Sequence, residues 1–278
     1  MAYKQKIYRF EDSTEYEYTY AGKYGAKGEK RAKKRKPTKE QIKKQNQKNK
    51  EIRIRRTIKS NFKQGDLWCC LKYPQGYRIP LEEVRKDVKK FLGMIRKTYS
   101  DKGSILKYIY RLEIGERGGI HMHILVNRIW NAHTDIILMK AWEEVLKRRK
   151  IPPKRAAGLV DYKSIYEAGG YEDLAAYIAK QPSEDSKEYK QLSLFAPEQQ
   201  KQLLSISSSR NLVRPEPEVK ERSHWTMRKI LEGGWPKARK GYYIDKDSVV
   251  CGVNPYTGMS YLKYTEVRIR GKTERGYP

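Results

Sequence analysis

Apolar residues between residues 66 and 114 recur with two different periods along the chain. The short run DLWCCLKYP ends in a proline and is typical of a buried strand. In PLEEVRKDVKKFLGMIRKTYS the apolar residues have helical spacing and follow a proline, which is favoured at a first helical position. SILKYIYRLEIG and GIHMHILVN are strand-like, and the intervening ERGG predicts that they form a hairpin.

Three further elements are predicted downstream of this hairpin. HTDIILMKAWEEVLKRRK has the pattern of a second amphipathic helix, GLVDYKSIY that of a fourth strand, and GGYEDLAAYIAKQ that of a third helix ending near Pro182. The order strand, helix, strand, strand, helix, strand is the ferredoxin-like arrangement. We therefore expect an α+β fold over residues 61–184, with an RRM-like antiparallel sheet and helices on one face.

The two flanks of this core are expected to differ from it. Residues 1–60 are predicted to form a basic N-terminal arm, and residues 185–278 a small C-terminal extension in which an alternating stretch around NPYTG predicts a hairpin. No chemistry is assigned to the extension.

Positive charge is concentrated in the arm. The 278-residue chain has 61 Lys and Arg against 33 Asp and Glu, and residues 23–59 hold 17 of these cations with only three acids. Such an excess favours a polyanionic partner, with nucleic acid as the first candidate, although a solvated charged segment is the alternative. Thr38 and Gln41 have the spacing of a capping box, which predicts a basic helix. The expected DNA-binding cations are Lys33, Lys34, Arg35, Lys36, Arg53, Arg55 and Arg56.

The composition disfavours several classes of protein. No apolar run reaches the roughly 20 residues of a membrane span, and the N-terminus lacks the apolar segment of a secretory signal. The three cysteines form neither a disulfide framework nor a CxxC site, so we expect a cytoplasmic protein. The sequence GxxxxGK[ST] is absent, so an ATP-driven motor is not expected in this chain.

The segment RLEIGERGGIHMHILVN holds two of the four histidines. His121 and His123 are two residues apart, so on a strand their side chains point to the same face. The hairpin would bring Glu113 alongside them as a third metal ligand, with Glu116, nearer the turn, as the second choice. Two imidazoles and one carboxylate leave coordination positions open, as in catalytic metal sites, and do not choose between Mg, Mn and Zn. The alternative is a pair of hydrogen-bonded core histidines.

Tyr177 and Lys180 lie three residues apart in AAYIAKQ and would share one face of the third helix. Because the chain has 22 tyrosines, a tyrosine that packs on the sheet beside a solvated lysine is the alternative.

These segments together resemble a known family. HMHILV resembles the His-hydrophobe-His motif of the HUH endonucleases, YIAK resembles their Tyr-x-x-Lys motif, and LWCCLKYP resembles their first motif, in the family's order. Within the superfamily, residues 61–184 are most similar to the single-tyrosine rolling-circle replication initiators, or Rep proteins. The resemblance implies an HUH nickase core in which His121, His123 and Glu113 hold Mg or Mn.

The resemblance also implies a reaction and its partners. Tyr177, assisted by Lys180, would attack a phosphate of single-stranded origin DNA, leaving a 5′-phosphotyrosine link and a free 3′-hydroxyl. A separate host helicase would unwind the template, no membrane would be involved, and the oligomeric state stays open. A transposase or relaxase with the same chemistry is the nearest alternative. Alternatives from other classes are a non-catalytic basic nucleic-acid-binding protein and a structural metal protein.

Overall fold

The computed structural model describes residues 3–20, 32–152, 159–166, 168–222 and 233–269. In chain order the elements are β1 (Tyr3–Arg9), β2 (Ser13–Tyr20), α1 (Lys39–Asn61), β3 (Leu67–Leu71), α2 (Leu81–Asp101), β4 (Tyr108–Ile114), β5 (Ile120–Val126), α3 (Thr134–Arg148), β6 (Val160–Ser164), a 3-10 helix (Ala168–Tyr171), α4 (Glu172–Ala179), α5 (Lys187–Leu192), α6 (Pro197–Leu203), β7 (Ile206–Ser208), β8 (Glu218–Arg222), β9 (Tyr242–Asn254) and β10 (Met259–Arg268). Among the described residues, no helix is both long and apolar enough to cross a membrane.

The chain divides into two units by its internal contacts. One consists of residues 47–214, and the other combines residues 1–46 with residues 215–278. The division thus falls after residues 46 and 214, where the sequence suggested boundaries at 60 and 184. Residues 185–214 add α5, α6 and β7 to the central unit.

The sheet of the central unit has the strand order β6-β3-β5-β4-β7, and the neighbouring strands pair antiparallel. Numbered within the predicted series, its first four strands are arranged fourth, first, third, second, which is the ferredoxin-like order. The predicted α+β core is therefore confirmed. β7 extends this sheet by one strand at the β4 edge.

One face of this sheet is covered by α2 and α3. The α2 residues expected to face the core, Leu81, Val84, Val88, Phe91 and Ile95, are all buried. They pack with Trp142 of α3 and with alternate strand residues of β3, β4 and β5. The helical period of α2 and the alternation of the strands thus meet in one apolar core, as the sequence predicted.

The opposite face of the sheet is also covered, which the sequence did not indicate. The last turns of α1 and the whole of α4 pack on it through Ile58 and Ile178, against Ile109 and Leu125 of the strands. The expectation that α1 lacks a buried face is wrong at its C-terminal end. There the Asn61 side chain makes two hydrogen bonds to the backbone of Val213, at 2.7 and 2.8 Å.

The start of α1 is capped as predicted. Gln41 Oε1 accepts a hydrogen bond from the Thr38 backbone N–H at 2.9 Å, and Thr38 Oγ1 accepts one from the Gln41 N–H at 3.2 Å. The reciprocal bonds satisfy backbone donors that a helix leaves free at its first turn.

The second unit contains a five-stranded sheet in the order β8-β1-β2-β10-β9. The NPYTG segment forms the predicted hairpin, because residues 255–258 connect β9 to β10. β2 pairs with β10, so strands from the two ends of the chain lie side by side. Ile7, Tyr16, Leu262 and Tyr264 form the buried cluster of this sheet.

Candidate metal and nucleophile site

Two histidines and a glutamate lie together on the α4 side of the central sheet. The pairing of β4 with β5 sets Glu113 opposite His121 and Arg111 opposite His123. Glu113 Oε2 is 3.1 Å from His123 Nε2 and 3.9 Å from His121 Nε2. The three side chains expected to hold a metal are therefore neighbours, because a short hairpin sets the register of its two strands.

Glu116, the second choice for the third ligand, lies away from this group. Its side chain is exposed in the β4–β5 turn, and its Oε2 is 3.4 Å from Lys187 Nζ. Glu113 is thus the carboxylate that the fold places beside the histidines.

Cys70 is a fourth member of the cluster. β3 pairs with β5 so that Cys70 lies opposite His123, with its Sγ 3.9 Å from His123 Nε2. Donor atoms of Cys70, His121 and His123 lie within 4.8 Å of one another, so this His/Cys cluster can hold a metal ion. The sequence analysis found no metal site among the cysteines and missed it. The available signal was alternation, since the neighbouring Cys69 is buried and points to the opposite face.

The charges at the site suit a cation. Burial, followed by the charge of His123, lowers the pKa of His121 to about 4. Burial raises the pKa of Glu113, but its hydrogen bond with His123 and the charge of Arg111 outweigh burial and bring that pKa to about 2. At neutral pH Glu113 is therefore an anion and His121 is neutral, the forms in which both groups bind metals. Burial also raises the pKa of the Cys70 thiol to about 11, so without a cation it keeps its proton.

The donor spacing tests whether one ion fits. Atoms that each lie about 2.1 Å from a single ion are roughly 3.0 to 3.5 Å apart at octahedral to tetrahedral angles. The 3.1 and 3.9 Å separations of Glu113 Oε2 from the two imidazoles are close to that range. Glu113, His121 and His123 therefore fit a small divalent ion with a minor adjustment of one side chain.

Tyr177 on α4 extends its hydroxyl to the same donors. Tyr177 Oη is 3.1 Å from His123 Nε2 and 3.3 Å from Glu113 Oε2. Its ring lies edge-on to Trp68 and to His123, with centroids 5.9 and 5.3 Å away, and 39% of the residue is exposed. Burial, and then the charge of Glu113, raise the pKa of Tyr177 to about 12. The phenol is therefore both beside the cluster and open to solvent.

Lys180 does not share the helical face of Tyr177, and this expectation is wrong. α4 ends at Ala179, and Lys180 has the non-helical angles φ −51° and ψ 135°. Its exposed side chain lines a small cavity that Arg111 and Glu113 also line.

Arg111 fastens the end of the tyrosine helix. Its guanidinium is buried, and Nη1 donates to the carbonyl oxygens of Tyr177, Ile178 and Lys180 at 3.1, 3.2 and 2.7 Å. The last carbonyls of a helix have no partner within the helix, and a cation there also opposes the negative end of the helix dipole. The sequence analysis did not single out Arg111. A charged residue within the apolar strand YIYRLEI was the signal that it has a specific partner.

The predicted DNA-binding cations belong to both units. Lys33, Lys34, Arg35 and Lys36 are exposed in an irregular segment before α1. Arg53, Arg55 and Arg56 lie on the part of α1 that belongs to the central unit. Arg55 is largely buried, with its Nη1 3.3 Å from Glu172 Oε1, so one of its contacts holds the first turn of α4.

Comparison with known proteins connects this site to replication. A family model described as replication-associated protein ORF2 matches residues 66–182, which include the cluster, Arg111 and Tyr177. The match is consistent with a rolling-circle replication initiator. No curated protein matches the chain.

Proposed function

We propose that this protein initiates rolling-circle replication by nicking and rejoining single-stranded DNA through Tyr177. The observation that carries the proposal is the position of Tyr177 Oη, 3.1 and 3.3 Å from the donor atoms of His123 and Glu113. This juxtaposition lies within the residues that match the replication-associated family.

The proposed cofactor is a divalent ion, Mg or Mn, held by His121, His123 and Glu113. Such an ion supplies positive charge to the phosphate oxygens and aligns the phosphate for attack. Glu113 and His121 meet it in their deprotonated forms at neutral pH, given pKa values of about 2 and 4.

Tyr177 is the proposed nucleophile. Its oxygen forms a bond to phosphorus while the bond from phosphorus to the 3′ oxygen breaks, leaving a 5′-phosphotyrosine and a 3′-hydroxyl. The phenol proton passes to solvent, to which Tyr177 is partly exposed, and the leaving oxygen takes up a proton. Charge neutralisation at Glu113 removes the cause that, after burial, most raises the pKa of Tyr177. The reverse reaction rejoins the strand without ATP, because the phosphotyrosine link keeps the energy of the phosphodiester.

The remaining residues would bind the substrate. Lys180 lines the same small cavity as Glu113, so we assign it to a phosphate neighbouring the scissile one. The exposed cations at residues 33–36 would hold the DNA backbone without reading its bases. Origin DNA, a separate host helicase and a cytoplasmic location belong to the same proposal. A transposase or relaxase would use the same site.

One observation favours a second candidate, a structural metal site. Cys70 adds a fourth donor to His121, His123 and Glu113, and four protein ligands are typical of closed, structural zinc sites. Chelation distinguishes the two functions. The nicking enzyme would lose activity and keep its fold, whereas a structural metal protein would unfold.

The proposed function is tested by a search for a covalent adduct. The protein is incubated with Mn and a pool of single-stranded oligonucleotides, then denatured, digested and examined by mass spectrometry. We expect a nucleotide on Tyr177, and none in Tyr177→Phe. Tyr166→Phe, which alters an exposed tyrosine outside the cluster, is the matched control and should behave as the parent. An adduct in Tyr177→Phe would place the nucleophile elsewhere, and its absence from the parent would contradict the nicking function.

A further inference from the structure

A larger cleft lies beside the cluster at the other end of the histidine pair. It has a volume of about 490 Å³ and lies between the β3–α2 loop and the β4–β5 turn. His121 and Ile120 line it, whereas Tyr177 contacts the cluster at His123. Along β5, the nucleophile and the cleft therefore lie at opposite ends of the donor set.

The cleft is positively charged. Lys72, Arg78 and Arg117 line it, with Glu116 as the acid among its lining residues. Lys72 is paired with Asp161, and Glu116 with Lys187.

Two of these cations are available for a ligand. Arg78 and Arg117 are exposed, and among the described residues neither is paired with a carboxylate. They face the cleft from its two walls, Arg78 from the loop and Arg117 from the turn. Two planar guanidinium groups on facing walls are suited to bind a phosphate.

The glycines of the turn make room for one of the arginines. A Cβ on Gly119 would lie 3.6 Å from Arg78 Nη1, and one on Gly118, where φ is +74°, would lie 2.6 Å from Gln191 Oε1. Side chains at these positions would crowd the guanidinium or strain the turn. The Gly-Gly pair thus lets Arg78 approach the turn closely.

The direction of phosphoryl transfer assigns an occupant to this cleft. The attacking and leaving oxygens lie roughly in line on opposite sides of the phosphorus. With Tyr177 attacking from the His123 end, the leaving 3′ oxygen departs towards His121 and the cleft. The volume is within the range of roughly 300 to 1,000 Å³ that is usual for small-ligand sites.

We propose that this cleft binds the nucleotide on the 5′ side of the nick, with Arg78 and Arg117 on its phosphate and Tyr77 against its base. The proposal rests on the proposed nicking function and adds a specificity site to it. Tyr77, half-buried on the wall of the cleft, offers a ring on which a base can stack. The cleft would also keep the released 3′-hydroxyl end near the phosphotyrosine, as rejoining requires.

The test compares Arg78→Gln/Arg117→Gln with the parent. Both are incubated with Mn and a random single-stranded pool, and the released 3′ ends are sequenced. A released strand of defined sequence is then titrated against each protein in a Tyr177→Phe background by fluorescence anisotropy. Arg96→Gln/Lys97→Gln is the matched control, since it removes the same charge from exposed positions of α2 outside the cleft.

We expect the double variant to lose the parent's preference for the last nucleotide before the nick. Its Kd for the released strand should rise about tenfold, which corresponds to losing one charge-assisted contact. An unchanged preference and Kd would overturn the cleft assignment while leaving the nicking function intact. An equal rise in the control would reduce the effect to general electrostatics and overturn it as well. Absence of adducts from the parent would contradict both proposals.

Discussion

Replacing Arg111 by methionine is expected to release the helix that carries Tyr177. Methionine keeps much of the apolar stem of arginine but removes the charge and the donors that reach the carbonyls of Tyr177, Ile178 and Lys180. Gln47 Nε2, which donates to the Ala179 carbonyl at 3.1 Å, would remain the side-chain bond at this helix end.

The magnitude follows from these contacts. A hydrogen bond from a charged donor contributes about 1.5 to 3 kcal/mol, and a buried acceptor left without a partner costs about 1 to 3 kcal/mol. One nitrogen serves all three carbonyls, so their contributions are not additive, and we expect a loss of about 3 kcal/mol in the free energy of unfolding. That is a fraction of the roughly 5 to 15 kcal/mol typical of a folded protein, so the variant should still fold.

Two measurements separate positioning from stability. Hydrogen exchange should show the amides of Glu172–Ala179 losing protection while those of α2 keep it. At saturating DNA the rate of adduct formation should fall by tenfold or more, because Tyr177 Oη no longer stays at the donor atoms. Arg111→Lys, which keeps the charge and can donate to the same carbonyls, should recover part of the rate.

Arg149→Met is the matched control. Arg149 donates to the Glu83 backbone carbonyl at 2.9 Å and is paired with Asp87 and Glu83, away from the cluster. Its replacement should also destabilise the fold but leave α4 protection and the adduct rate of the folded protein unchanged. The assignment of Arg111 is refuted if Arg111→Met lies within 1 kcal/mol of the parent, or if both variants slow the reaction equally.

Three further outcomes are expected. In calorimetric titration with Mn, His121→Ala and Glu113→Ala should each weaken binding by tenfold or more, and Glu116→Ala by less than twofold; equal losses from Glu113 and Glu116 would contradict the assigned ligands. Cys70→Ser should remove the thiolate-to-metal absorption of the cobalt-loaded protein and weaken Zn binding far more than Mn binding, because a thiolate favours softer ions; an unchanged cobalt spectrum would exclude Cys70 as a ligand. Neutralising the four cations at residues 33–36 with glutamine should reduce the slope of log affinity against log salt by roughly 3 units, and an unchanged slope would make them a solvated segment. Substitution is needed there, because deletion of the arm would remove β1 and β2.

Features formed by nearby residues were predictable from the sequence. The capping box of α1 joins residues three apart, and the β4–β5 hairpin aligns Glu113 with His121 across a short turn. In both, local geometry leaves few alternatives, so residue type and spacing determine the contact. The order of the periods likewise determined the ferredoxin-like series of the central unit.

Contacts between distant residues were decided only by the tertiary structure. Cys70 reaches His123 because β3 pairs with β5, and the Tyr177 hydroxyl reaches Glu113 because α4 packs on the second face of the sheet. Arg111 holds the end of that helix for the same reason, and β2 pairs with a strand from the other end of the chain. Periodicity indicates which side of a strand or helix is apolar, but several partners can cover an apolar face equally well. The choice among them depends on how the whole chain buries its surface, which no local pattern records.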